Sequence, residues 1–147
     1  MPAFIRTLVA LLALFFASDA FAQNKVPSER TLETLVKSSL VSFNDAVLTG
    51  NFAVLHARLA KPLRDKYSPE QLAKIFKEFA DKGAEFYVIT TFKPTYDPAP
   101  SIDGEGILLV KGVFPTEPSK VAFDLKFILS DGGWRMIGID VTMKKAD

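Results

Sequence analysis

Apolar residues in the first half of the chain recur every three or four positions, which is the spacing of a helix with one buried face. Between Ser28 and Thr49 this spacing predicts a single long helix. Gly50 fits the left-handed position that commonly ends a helix. The predicted buried positions are Leu32, Leu35, Val36, Leu40, Phe43 and Val47.

Two further helices are predicted after Gly50. Asn51 is a capping residue for the second helix, and Pro62 should end or kink it. Its apolar stripe consists of Phe52, Leu55, Leu59 and Leu63. The third helix should begin at Ser68, because a cap, a first-turn proline and a capping-box glutamine follow one another there, and should end at Gly83. Its predicted buried stripe is Leu72, Ile75, Phe76 and Phe79.

Beyond Gly83 the apolar positions alternate with polar ones, which is typical of β-strands. The alternation predicts four strands, at residues 85–93, 106–114, 120–130 and 134–142. Residues 94–105 contain three prolines and predict a loop between the first two strands. Three helices followed by a curved, four-stranded antiparallel meander make an α+β fold.

The register of the last hairpin follows from matching the apolar faces of its two strands. Matching requires a three-residue loop, Asp131-Gly132-Gly133, because a two-residue loop would turn one strand over. The predicted pairs are Phe123 with Val141, Leu125 with Ile139, and Phe127 with Ile137. The same register sets Asp124 opposite Asp140 on the other face of the sheet.

This pair of acids has two interpretations. Carboxylates about 5 Å apart can share a proton or bind a divalent cation. A pair without further Asp, Glu or His ligands is a poor metal site, however, and nearby Lys126, Lys111 and Lys120 can neutralise it. We therefore predict that Asp124 and Asp140 lie on a solvated face, with no metal and no cofactor.

Trp134 lies on the Asp140 face in this register. Ile128 and Met136 share that face, and an apolar patch beside charged groups is typical of a weak dimer surface. We predict a homodimer interface at Ile128, Trp134 and Met136. Ligand stacking on Trp134 is the alternative.

Composition excludes several classes of function. The formal net charge is +1, with Lys, Asp and Glu interspersed, so the chain carries no electrostatic signature of nucleic-acid binding. The absence of cysteine excludes disulfides, thiolate chemistry and Cys-ligated metals.

Residues 1–22 have the pattern of a cleaved secretory signal peptide. A basic start precedes an apolar run from Thr7 to Phe16, and small residues at Ala20 and Ala22 favour cleavage after Ala22. The apolar run is too short to cross a bilayer, which takes roughly 20 residues, so no stable membrane anchor is predicted. The expected product is a periplasmic or secreted protein with one domain, residues 23–147.

Three short motifs resemble the NTF2-like (cystatin-like, cone-shaped) superfamily, in its branch of small exported bacterial proteins of unknown function. They are Thr49-Gly50-Asn51-Phe52 after the first helix, Ser68-Pro69-Glu70-Gln71-Leu72, and Gly133-Trp134-Arg135-Met136-Ile137 at the last strand. The resemblance implies a sheet wrapped around the first helix. It implies no single activity, because this fold carries enzymes, transport factors and binding modules.

The resemblance also implies a possible cavity inside the cone, with its mouth near Tyr96. The predicted pocket residues are Phe43, Phe52, His56, Phe76, Phe79, Tyr96, Phe123 and Phe127. Such a cavity would suit a small apolar ligand, which the phenols of Tyr67, Tyr87 and Tyr96 could orient. The alternative is that the aromatic residues form a packed core, as residues at this spacing do in most proteins.

His56 is the only histidine. In some NTF2-like dehydratases a buried imidazole acts as general base, so the resemblance makes His56 a candidate. We predict instead a hydrogen-bonded histidine at the core or its rim. The predicted function is a non-catalytic module that binds a small apolar molecule or an envelope protein. A small isomerase or dehydratase is the alternative.

Overall fold

A computed structural model of the protein describes residues 25–145. Its helices are α1 (Glu29–Thr49), α2 (Ala53–Arg58), α3 (Lys61–Lys66), α4 (Pro69–Ile75) and α5 (Lys77–Asp81), followed by a 3-10 helix at Tyr87–Thr91. Its strands are β1 (Thr95–Tyr96), β2 (Ser101–Ile102), β3 (Leu108–Phe114), β4 (Ser119–Ser130) and β5 (Gly133–Lys145). Helices combined with an antiparallel sheet confirm the α+β class. The predicted signal peptide lies outside the described residues.

The long first helix is confirmed. The Ser28 hydroxyl oxygen accepts the Thr31 N–H at 3.3 Å, which caps the first turn. At the other end Gly50 has φ 71° and donates its N–H to the Ala46 carbonyl at 2.9 Å. The apolar stripe of α1 supplies the centre of the core, with Leu40 at 0% exposure.

The shorter helices differ from the prediction. Pro62 lies in the first turn of α3 and does not end α2. Proline fits this position because backbone N–H groups in the first turn of a helix have no partner within the helix, so the missing N–H of proline costs no hydrogen bond. The capping box at Ser68 is confirmed, since its hydroxyl accepts the Gln71 N–H and the Gln71 side chain accepts the Ser68 N–H. The helix then breaks between Ile75 and Lys77. Ile75, predicted to be buried, is the last residue before this break and is 55% exposed.

Residues 85–93 do not form the predicted strand. Tyr87–Thr91 is a 3-10 helix that packs against α1. The amide of Asn44, which is 0% exposed on α1, donates to the Ala84 carbonyl at 3.3 Å and accepts the Phe86 N–H at 2.7 Å. Two backbone groups at the start of this segment, those of Ala84 and Phe86, therefore bond a helix side chain and not a neighbouring strand.

The sheet has the order β1-β3-β4-β5, with β2 also pairing with β3. The three long strands confirm the predictions at residues 106–114, 120–130 and 134–142. The short strands β1 and β2 lie inside the predicted loop and pair with β3 alone. We call the sheet face that carries Phe123, Leu125 and Phe127 the inner face; these residues are buried in the core with the α1 stripe. The opposite, outer face carries Asp124 and Asp140.

Gly112 allows two aromatic rings to meet on the inner face. It lies between Tyr96 on β1 and Phe123 on β4 in one row of the sheet. A Cβ atom at this position would approach the Thr95 carbonyl oxygen to 2.1 Å and Phe123 Cζ to 2.9 Å. With glycine there, the rings of Tyr96 and Phe123 pack edge to face with centroids 6.3 Å apart.

The β4–β5 hairpin turns through two residues, so the predicted three-residue loop is wrong. Asp131 and Gly132 have φ of 53° and 79°, the positive values that a type I′ turn requires, and Ser130 pairs with Gly133. Further from the turn the predicted pairs of Phe123 with Val141, Leu125 with Ile139, and Asp124 with Asp140 are confirmed.

A β-bulge at Ile137 reconciles the short turn with the matched apolar faces. Lys126 pairs with Gly138 but Phe127 pairs with Met136, so Ile137 is an extra residue on β5. The predicted pairing of Phe127 with Ile137 is therefore wrong.

The bulge also changes the face on which two predicted interface residues lie. Met136, opposite Phe127, is 2% exposed in the core. Trp134, opposite Leu129, packs against the core as well. The prediction that both lie on the outer face is wrong, and only Ile128, opposite Arg135, stays there.

Deletion of Ile137 tests this account. The deletion removes the extra residue, so Met136 and Ile139 keep their inner positions and the chain should still fold. We expect a loss of about 1–3 kcal/mol in the free energy of unfolding, from the lost packing of Ile137. Urea denaturation followed by far-UV circular dichroism measures the loss.

Deletion of Asp124, in the regular part of β4, is the matched control. It moves half of that strand to the wrong face and should abolish the cooperative unfolding transition. Equal losses of stability in the two deletion variants would contradict the conclusion that Ile137 is an extra residue on β5.

Candidate functional site: an apolar groove beside strand β5

A groove of about 270 Å³ lies between the short helices and the bulged part of β5. We call it the β5 groove. It is lined by Leu55, Leu59, Leu63, Tyr67, Leu72, Ile75, Phe76, Met136, Ile137, Gly138 and Ile139. The helix side comes from α2 to α4, and the strand side is the bulge with its neighbours. The side chains of the lining are apolar apart from the hydroxyl of Tyr67.

A backbone contact fixes the two walls relative to each other. The Ala60 N–H donates to the Met136 carbonyl at 2.9 Å, and Leu59 forms an isolated parallel bridge with Met136. The connection between α2 and α3 thus behaves as a short extra strand at the edge of β5. The bulge directs the Met136 side chain inward, to the floor of the groove. Met136 therefore supplies both the backbone contact to Ala60 and part of the floor.

The β4–β5 turn is tied to the same connection through Arg64. Its guanidinium donates to the Leu59 carbonyl at 2.7 Å and to the Asp131 carboxylate at 2.6 Å. The Lys61 N–H adds a bond of 3.1 Å to the Ser130 hydroxyl. The hydrogen bond from Arg64 is the largest cause that lowers the pKa of Asp131 below its usual value.

Asp131 should therefore make stability depend on pH. A carboxylate whose pKa is lower in the folded state stabilises the fold above its unfolded pKa, and this contribution disappears as pH falls through the folded pKa. Asp131→Asn removes the charge while asparagine keeps the positive φ that the turn needs. We expect a lower urea midpoint for this variant near pH 7, and a midpoint equal to the wild type near pH 2.

Asp65→Asn is the matched control. Asp65 pairs with Lys61 on α3, but both side chains are 63% exposed, so solvent screens the pair. Its midpoint should stay close to the wild type at both pH values. A midpoint of Asp131→Asn that is also unchanged near pH 7 would show that the Arg64 contact does not stabilise the fold.

His56 lies behind the helix wall and is not one of the lining residues. Its Nε2 is 2.8 Å from the Tyr67 carbonyl oxygen and 3.2 Å from the Arg64 carbonyl oxygen. Carbonyl oxygens only accept, so Nε2 carries the hydrogen. The half-buried ring thereby joins α2 to the end of α3, which is a structural role at the rim of the core.

Replacement of His56 separates this role from catalysis. His56→Ala leaves the two carbonyls without their donor, and we expect a loss of about 1–2 kcal/mol in the free energy of unfolding. His56→Gln supplies an N–H at a similar reach and should recover part of the loss. Urea denaturation of the three proteins gives the comparison, and an alanine variant as stable as the wild type would refute the structural role.

The predicted aromatic pocket is for the most part packed core. Phe43, Phe52, Phe123 and Phe127 are each at most 3% exposed. The ring of Phe43 lies 5.0 Å from Phe76 and 5.1 Å from Phe79, centroid to centroid. Among the predicted pocket residues, Phe76 alone lines the β5 groove.

The three phenols are distributed over different parts of the fold. Tyr67 lines the groove, and the Tyr87 hydroxyl donates to the Asp45 carboxylate. The Tyr96 hydroxyl is buried without a hydrogen-bond partner among residues 25–145. Burial, with smaller contributions from Glu33 and Glu29, raises the pKa of Tyr96 to about 12.

The paired acids lie at a second, more polar concavity on the outer face. Asp124 and Asp140 line it together with Lys111, Lys144 and Thr142, among others, and its volume is about 470 Å³. Within residues 25–145 no group of three His, Cys, Asp or Glu side chains is arranged to hold a metal ion. None of the ion pairs in this part of the chain includes either acid.

Sequence reasoning missed most of the groove. The apolar spacing predicted that Leu55, Leu59 and Leu72 lie on apolar helix stripes, but the predicted pocket did not include them. Ile137 and Gly138 reach the wall only because of the bulge. The available signal was the Asp131-Gly132 dipeptide, which favours a two-residue turn and so requires an extra residue elsewhere.

The chain matches no protein-family model, no curated protein sequence and no solved structure. No helix between residues 25 and 145 has the length and apolar character needed to cross a bilayer.

Proposed function

We propose that this is an exported binding module that holds a small apolar molecule in the β5 groove. Export rests on the signal-like pattern of residues 1–22. The single observation that carries the binding role is the groove itself, an open cleft between two fixed walls whose lining side chains are apolar apart from the Tyr67 hydroxyl.

The exposure of the groove residues supports this role. Ile75 is 55% exposed at the lip, and Leu63 and Phe76 are half-buried, although a folded chain gains free energy by burying such side chains. A bound apolar molecule would cover the same surface. The volume of about 270 Å³ lies near the lower end of small-molecule sites, which begin at roughly 300 Å³.

The groove chemistry favours binding over isomerase or dehydratase activity. Those reactions need an acid and a base positioned on the substrate. Tyr67 is the titratable side chain in the lining, and His56 directs its Nε2–H to backbone carbonyls. A single phenol can orient a polar group on a ligand without moving protons.

We further propose that the fold is of the NTF2-like type. The three motifs that carry the resemblance lie at the ends of structural elements, since Gly50 ends α1, Ser68 caps α4, and Trp134 lies at the start of β5. The antiparallel sheet with its inner face against α1 also supports the proposal.

Binding of a fluorescent apolar probe tests the function. N-phenyl-1-naphthylamine should bind the wild type with a blue-shifted, stronger emission. Ile75→Lys introduces a charge at the lip, and because Ile75 is already exposed the fold should be retained. We expect at least a tenfold weaker probe affinity, or about 1.4 kcal/mol.

Val54→Lys is the matched control. Val54 is 65% exposed on α2 and does not line the groove, so its substitution should leave probe binding unchanged. Equal loss in both variants, or no probe binding by the wild type, would contradict the proposal. Native mass spectrometry of protein purified from the periplasm would then show whether an envelope protein is bound instead.

A further inference from the structure

The outer edge of β5 is open over its last residues. β5 lies at the end of the sheet and pairs with β4 on one side. On the other side the Leu59–Ala60 segment covers Met136 and extends no further along the strand. From Ile139 to Lys145 no segment within residues 25–145 pairs with this edge.

An open edge of this length presents unpaired N–H and C=O groups to any strand of suitable pattern. The pattern here is amphipathic. Ile139, Val141 and Met143 follow the inner face, while Asp140, Thr142 and Lys144 follow the outer face. Met143 is 39% exposed, so its side chain is only partly covered by the fold.

We propose that the open edge of β5 pairs antiparallel with the same edge of a second copy of the chain, about a two-fold axis at Thr142. Side chains directly opposite each other in a continuous sheet project from the same face. Residues of the inner face must therefore lie opposite inner-face residues of the second copy. This requires a two-fold axis at a residue position, so that the residue lies opposite its own copy, and not an axis between two residues.

Charge then selects which residue lies on the axis. An axis at Thr142 sets Asp140 opposite Lys144 of the second copy, and Val141 opposite Met143. An axis at Asp140 would place two carboxylates face to face, which is destabilising. Axes at Val141 or Met143 would leave Asp140 and Lys144 opposite uncharged residues.

The same pairing compensates the like charges on the outer face. Asp124 and Asp140 are directly opposite each other, and neither forms an ion pair among the described residues. Directly opposed like charges weaken a strand pair. The ammonium group of Lys144 from the second copy would lie next to this pair and offset the repulsion.

A charge-swap series tests the pairing. Sedimentation velocity should show a concentration-dependent dimer for the wild type. Asp140→Lys and Lys144→Asp should each raise the dimer dissociation constant at least tenfold, and the double variant should restore it. Lys74→Asp, an equal charge change on α4, should leave the dimer unchanged, and circular dichroism verifies that every variant is folded.

Cysteine cross-linking tests the register. The chain contains no cysteine, so Thr142→Cys supplies one thiol per copy. On the axis, the two Cα atoms would be about 4.5–5.5 Å apart, within the range that a disulfide bridges. Lys145→Cys is the control, because it leaves the pair of Asp140 and Lys144 intact and its two copies would be about 20 Å apart.

The expected result is a covalent dimer for Thr142→Cys under mild oxidation and none for Lys145→Cys. A wild type that is monomeric at all concentrations overturns the proposal. A dimer that neither depends on the two charges nor cross-links through residue 142 overturns it as well, and would point to an interface such as the outer face at Ile128.

Discussion

The bulge at Ile137 is the constraint on which the rest of this structure depends. The Asp131-Gly132 dipeptide favours a two-residue turn, yet the apolar faces of β4 and β5 match only if one strand is displaced by a residue. One extra residue satisfies both requirements. The bulge then directs Met136 into the core, where its carbonyl accepts the Ala60 N–H. The groove follows from these two consequences.

The hairpin and the short helices stabilise each other through polar contacts around that bulge. α2 and α3 are each too short to be stable in isolation, since isolated helices shorter than about 12–15 residues are marginal in water. Arg64 joins them to the β4–β5 turn, and His56 joins α2 to the backbone at the end of α3. The position of the helix wall therefore depends on contacts with neighbouring groups, and not on the helix propensity of these six-residue segments.

Local signals in the sequence identified the elements that depend on local physics. Helix α1 and the cap at Ser68 were predictable because spacing and capping chemistry determine them. The segment at 85–93 was not, because Phe86 and Ile89 are both buried and three residues apart, a spacing that also fits a 3-10 turn. What decides between strand and turn there is the buried side-chain amide of Asn44, whose two contacts span 40 and 42 residues and so appear in no local pattern.

The proposed groove and the proposed dimer edge adjoin on β5. Ile139 lines the groove and is also the first residue of the open edge, so this one residue belongs to both sites. Thermodynamic linkage requires that any change in dimer affinity caused by an occupant of the groove be matched by an equal change in occupant affinity caused by dimerisation. The bulge beside Ile139 sets the direction of the strand at this junction. A bulge that the turn geometry requires thus lies close to both the groove and the proposed dimer edge, which the sequence pattern presents as independent.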